Sequence, residues 1–209
     1  LILTKIFERM HQLESYLDKG FVRRRWDDAT DLVSNGQALL QVQGTWVNGE
    51  FTAKGLEPGR DYHCWRFPGT QGVYLFNSDQ FVFFKLPASQ RPTQRIFATI
   101  TMTPALQAAV NVRSGAAPAR VDVSRRSFNR CGQRNITDMR RANMRRAMMG
   151  SIAMGNANPP RVKTAIYDVV TRHLQGQLDT PGAVAALRKA IEQAAARTAA
   201  EKTGGAPEP

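Results

Sequence analysis

The sequence predicts an α/β chain, rich in helix and with few strands. Three observations carry that class. Apolar residues recur every three or four positions through several stretches, as amphipathic helices require. Two short apolar runs, 37–44 and 73–85, read instead as buried strands. Connectors bearing Gly and Pro separate these pieces.

The elements follow in order. Residues 1–19 place Leu3, Ile6, Phe7, Met10, Leu13 and Leu17 at helical spacing, with Gly20 as the expected C-cap. A second helix is expected over 27–32, and the "NG" at 35 and 36 marks a turn. "QALLQVQGTW" is expected as a strand ending at Gly44, followed by the long connector "TAKGLEPGRDYHCWRFPGTQG". Residues 73–85 form the second strand. The pattern from Ser89 to Val112 is helical, broken at Thr103 and Pro104, an N-cap with Pro at the next position. "RSGAAPAR" is a loop, and Ser127 to Met149 reads as a loop followed by a helix. After the loop "GSIAMGNANPP" come two last helices, "PRVKTAIYDVVTRHL" and one opened by Thr180 with Pro181 at its first position. The end, "TGGAPEP", is expected to be a disordered tail.

The chain has 209 residues, 42% hydrophobic and 22% charged, ordinary for a soluble globular protein with a core. No stretch approaches the roughly 20 consecutive apolar residues that span a bilayer. The opening lacks an initiator Met and a signal-peptide pattern, and reads as a mature fragment or a truncated product, which leaves compartment open.

Net charge is +12, with 22 Arg against 7 Lys, and nine of those arginines lie between Arg120 and Arg146. Such a stretch attracts phosphate backbones, acidic lipids or anionic ligands, or is a solvated helix face. Phe128 is its one aromatic residue, whereas single-strand nucleic-acid platforms interleave stacking rings, so nucleic acid is not the expected partner. The two cysteines, Cys64 and Cys131, fit one disulfide or two buried thiols equally well. Neither has metal-ligand spacing, and His11, His63 and His173 are scattered, so no metal or cofactor is expected. Nucleophile elbows, paired carboxylates and phosphate-cradling Gly loops are all missing, and the chain is not expected to be an enzyme.

Five stretches carry a resemblance: "LVSNGQALLQVQGTWVNGEF", "GLEPGRDYHCWRFPGTQGVYLFNSDQFVFF", "AAPARVDV", "FNRCGQ" and "PPRVKTAIYDVV". Covering most of residues 25–175, they resemble, in order and spacing, the C-terminal half of an extracellular solute-binding protein of an ABC sugar importer. The glucose/mannose-binding type is the most similar. The resemblance implies a type II periplasmic-binding-protein lobe, truncated relative to the family, in the bacterial periplasm. Residues 1–71 would be part of the second lobe, 72–118 would cross to the first lobe, 119–202 would return as helices, and 203–209 would be the tail. Sugar would sit between lobes, and the closed form would engage the transporter's membrane subunits. Losing most of a lobe would expose apolar surface, covered by the missing N-terminal lobe or by a second copy in a homodimer.

The same resemblance gives meaning to "YLFNSDQFVFF", residues 74–84, where an amide, a hydroxyl and a carboxylate interrupt an apolar run. Sugar clefts pair flat rings with planar polar groups. By this likeness Asn77 and Asp79, two apart on one strand face, would bind sugar hydroxyls, and Trp46 would stack on the sugar ring. Two positions depart from the family. Ser114, beside Arg113, stands where a Lys is usual, and Met154 stands where a His is usual. A lost charged hydrogen bond costs roughly 1.5 to 3 kcal/mol, so these two losses would weaken binding substantially. Arg113 could substitute for the Lys; Met154 has no donor to replace the His. The resemblance also implies a Cys64–Cys131 disulfide, in keeping with an oxidising periplasm. Against the receptor stands a second reading, a truncated, sugar-blind interaction module binding an anionic partner through Arg120–Arg146.

Overall fold

The computed structural model describes residues 1–203; apart from its first residue, the expected tail lies outside them. In chain order the elements are α1 (Ile2–Glu14), α2 (Trp26–Ser34), α3 (Val47–Ala53), β1 (Tyr74–Phe76), a short 3-10 turn (Ala88–Gln90), α4 (Arg91–Thr101), α5 (Pro104–Ser114), α6 (Arg130–Met144), β2 (Met148–Gly150), α7 (Pro160–Leu174) and α8 (Thr180–Thr203). The described chain is helix-rich with few strands, and it divides into two compact units. One joins Leu1–Val22 to the chain from Gly150 onward, and the other is Arg23–Met149.

In the first unit, α1, α7 and α8 bury Phe7, Val169, Ala183 and Leu187 together, with Leu3, Met10, Ile166 and Val170 packed around them. These are the apolar stripes expected from the three-and-four spacing. Phe7 is fully buried and meets the His173 ring edge-on, centroids 4.9 Å apart. The two His173 ring nitrogens lie 2.8 Å from the Leu178 carbonyl and 3.0 Å from the Phe7 carbonyl, so one side chain ties three segments. Helix α1 stops at Glu14 rather than continuing to Gly20. Local side-chain bonds compete there: Ser15 Oγ donates to the Gln12 carbonyl, and Asp18 accepts from the Gly20 N–H. Helix α8 also starts differently from the expectation. Asp179 accepts from the Gly182 N–H at 2.8 Å, so Asp179 is the cap and Thr180 already belongs to the helix.

The second unit contains α2 to α6 and the strand pairing. Val123, Phe128 and Ile136 form its buried cluster, lined by Ala108, Val112 and Ala117. Thr103 caps α5 as expected, its Oγ1 accepting from the Leu106 N–H with Pro104 at the first helical position. Helix α3 was not among the expected elements, and it carries Gly49, which lowers helix propensity. That glycine has a packing reason. A Cβ on Gly49 would lie 2.6 Å from the Arg113 carbonyl oxygen, and one on Gly115 (φ +73°) would lie 2.4 Å from the Gly49 nitrogen. Helix α3 and the end of α5 therefore meet backbone to backbone.

Both expected strands are corrected. Residues 37–44 are irregular, with Leu39 95% exposed and Leu40 and Val42 also exposed. The 73–85 run is strand only over Tyr74–Phe76, and Phe81, Val82 and Phe84 beyond it are exposed. A strand needs a neighbour to satisfy its backbone. Among the described residues β1 pairs with β2 alone, beginning with the Tyr74 N–H on the Ala147 carbonyl at 3.0 Å.

Candidate functional site

The site is built on α6. Asn129 caps this helix, its Oδ1 accepting from the Gly132 N–H at 3.0 Å. The same amide exchanges hydrogen bonds with the Asn48 side chain of α3, each 3.2 Å. From Cys131, positions i+3, i+4 and i+7 bring Arg134, Asn135 and Asp138 onto one helical face.

The connector after α3 is fastened along that face at three points. Cys64 and Cys131 form a disulfide, with Cα atoms 5.9 Å apart. Arg134 donates to the Cys64 carbonyl at 2.9 Å. Arg66 pairs with Asp138 at 2.8 Å, both partly buried. The connector is thus a strap whose register on α6 is fixed.

Strap, α3, α6 and β1 line an open cavity of about 570 Å³ within this unit. Aromatic side chains supply much of its wall: Phe51, Tyr62, Trp65, Phe67 and Tyr74. Tyr62 packs on Phe51 with centroids 4.4 Å apart, and its hydroxyl donates to Asn48. The Tyr74 hydroxyl donates to Asn135 Oδ1 at 2.8 Å, and Asn135 Nδ2 donates to Thr45 Oγ1 at 3.1 Å. Burial pushes both phenols above their ordinary range. Both therefore stay neutral donors at physiological pH. Trp65 is 79% exposed, with the Arg134 guanidinium 5.7 Å from its ring centroid. Flat rings beside amides, each offering a donor and an acceptor, can hold the C–H face and hydroxyls of a saccharide.

The residues singled out from sequence do not line this cavity, although Trp46 stands between Thr45 and Val47 and Ser114 beside Gly115, which do. Trp46, just before α3, is half-buried, its six-membered ring filling the space over Gly44, where a Cβ would be 2.1 Å away. Arg113 and Ser114 end α5 at its meeting with Gly49, so the structure brings their segment against the helix that Trp46 opens. Both side chains are exposed and engaged only locally, Arg113 donating to the Ala109 carbonyl and Ser114 accepting from the Ala116 N–H. Asn77 is half-buried and Asp79 exposed, both past the end of β1, so strand alternation does not assign them a common face. Met154 lies in the other unit, exposed in the loop before α7, its N–H on Ser151 Oγ at 3.2 Å. None of the six lines the cavity.

Conversely, Tyr62, Trp65, Asn135 and Asp138 were not singled out from sequence. Two signals were present: aromatic residues flanking Cys64 inside a Gly- and Pro-bearing connector, and the 131, 134, 135, 138 spacing within the Arg-rich helix. The basic run itself is not a plain solvated face. Arg120 pairs with Asp122, Arg125 with Thr137, Arg134 with Cys64 and Arg140 with the Val123 carbonyl.

No protein-family model matches the chain. It is 45% identical over 92% of its length to a "Probable sugar-binding periplasmic protein" of Brucella suis, covering 46% of that protein. The identity, coverage and name are the same for a Rhizobium meliloti protein. An uncharacterized ABC transporter extracellular-binding protein of Pyrococcus horikoshii is 27% identical over 81% of the chain and 37% of its own length. The chain thus spans about half the length of these curated relatives.

Proposed function

We propose that the chain is the C-terminal portion of a sugar-binding receptor of an ABC importer, working in the periplasm. Its role is binding, not catalysis. The observation that carries this reading is 45% identity, across 92% of the chain, to proteins named as sugar-binding and periplasmic. The disulfide fits an oxidising compartment.

The ligand is a monosaccharide or small oligosaccharide of glucose or mannose type. Residues 1–71 and 119–202 belong to the second lobe of a type II binding protein, and 72–118 cross toward the first. Trp46 stacks on the sugar ring, and Asn77 and Asp79 bind hydroxyls, with Arg113 and Ser114 beside them and Met154 at the loop before α7. Closure around sugar presents the receptor to the transporter's membrane subunits.

The test follows tryptophan fluorescence during glucose and mannose addition. Asp79→Asn removes a charge-assisted acceptor and is expected to weaken binding by about tenfold or more; Trp46→Ala is expected to abolish it. If both variants bind as the parent does, the assigned ligands are wrong. The second reading, a sugar-blind module, is favoured by Ser114 and Met154 and by the absence of all six residues from the lining of the aromatic cavity. Its signature is a folded chain that no sugar perturbs.

A further inference from the structure

Beside the cavity, a second concavity of about 530 Å³ opens along the following turns of α6. Its walls carry four guanidinium groups, Arg66, Arg125, Arg134 and Arg141, against one carboxylate, Asp138. Asp138 is already paired with Arg66 at 2.8 Å. Arg125, Arg134 and Arg141 have no carboxylate partner among the described residues. Like charges gathered without counter-charges repel one another, and an anion relieves that repulsion.

Two of these three guanidinium groups are held by hydrogen bonds, Arg134 on the Cys64 carbonyl and Arg125 on Thr137. Arg134, Asp138 and Arg141 recur at i, i+4 and i+7, one stripe of α6. Arg125 enters from the preceding loop, fixed by donation to Thr137 Oγ1 at 2.6 Å. Trp65, which lines both concavities, sits on the strap between the disulfide and the Arg66–Asp138 pair. Its ring remains 79% exposed although its backbone is anchored on both sides. A fixed, solvated indole beside three uncompensated guanidinium groups offers a stacking face and an acid-binding edge together.

We propose that this groove binds an anionic sugar, a pyranose bearing a carboxylate or a phosphate, with its C–H face on Trp65 and its acid group on Arg125, Arg134 and Arg141. Guanidinium is suited to either acid, because its planar fork donates in pairs to carboxylate or phosphate oxygens. A polymer fits less well. Single-stranded nucleic acids use successive stacking rings, and this groove has one. The site shares no residue with Trp46, Asn77 or Asp79, so it and the neutral-sugar reading stand or fall separately.

The experiment is calorimetric titration of the full chain with glucuronate, glucose 6-phosphate, glucose, inorganic phosphate and a single-stranded oligonucleotide. Each is run at low ionic strength and again at about 0.15 M, where the screening length falls to about 8 Å. The expected result is that one anionic sugar binds at least tenfold tighter than glucose and loses affinity with salt. The tighter of the two identifies the acid. The double variant Arg125→Gln/Arg141→Gln, altering two exposed side chains, loses at least tenfold for that sugar and leaves any glucose binding unchanged. Trp65→Ala weakens the anionic sugar but not inorganic phosphate. The proposal is overturned if a folded chain binds no anionic sugar, if glucose binds equally well, or if the double variant binds as the parent does. It is equally overturned if phosphate alone matches the sugar phosphate, which makes an ion site, or if the oligonucleotide outcompetes both sugars.

Discussion

Asn135 joins the cavity's polar groups: it is buried, accepts from Tyr74 and donates to Thr45. Replacing it by Leu, of the same branched shape but larger and without polar atoms, leaves the half-buried Tyr74 hydroxyl without its acceptor and the exposed Thr45 hydroxyl without its donor. A buried unsatisfied group costs about 1 to 3 kcal/mol, and the Tyr74 hydroxyl is the one so left, so Asn135→Leu is expected to lower stability by about 1 to 3 kcal/mol. A lower urea midpoint at an unchanged slope is the readout. The tyrosines give a pH prediction. Burial raises the folded pKa of Tyr74 and of Tyr62 above the ordinary value near 10.0. Above pH 10 the unfolded chain releases these protons while the folded chain retains them. Stability is therefore full below the unfolded pKa and is lost as pH rises through the raised folded value. Urea midpoints should hold between pH 8 and 9, fall above about 10, and fall less in Tyr74→Phe. Little of this was legible in sequence. Trp65 and Tyr62 sit in an aperiodic connector, where burial and partners depend on a disulfide across 67 positions.

Among elements, the helices were the legible part. Apolar periodicity and a local cap are properties of short windows, and Thr103 with Pro104 stands in the structure where the sequence puts it. Helix ends were less legible, because Asp179 and Thr180 are both good caps and only the hydrogen bond to Gly182 decides between them. Asp179→Ala is expected to cost about 1 kcal/mol, measured by thermal unfolding. Strands depend on a partner that local pattern does not specify, which is why 37–44 and most of 73–85 are not strands here. The strap is held by its disulfide together with the Arg134 hydrogen bond and the Arg66–Asp138 pair. Closing a loop of this length is worth about 4 kcal/mol in the chain-entropy account. Reduction is expected to lower Tm by roughly 10 °C and to release the connector first. Faster amide exchange at residues 62–67 than in α7 would establish the order; uniform exchange would contradict it.

At the scale of the whole molecule, apolar side chains remain in solvent: Leu39 and Leu40, then Phe81, Val82 and Phe84. A run of this kind is covered when another polypeptide surface is available. Light scattering at micromolar concentration is therefore expected to give a mass above the 23.2 kDa of one chain, and a strictly monomeric sample would refute that coverage by a second copy. The sugar-binding reading rests at this scale too, since the chain matches relatives about twice as long over about half their length. Its most direct test is calorimetric titration of the oxidised chain with glucose and mannose. Saturable heat with a Kd of about 1 μM or below is the predicted result. A cooperatively folded chain that gives no heat with either sugar or with a disaccharide panel would contradict the receptor reading.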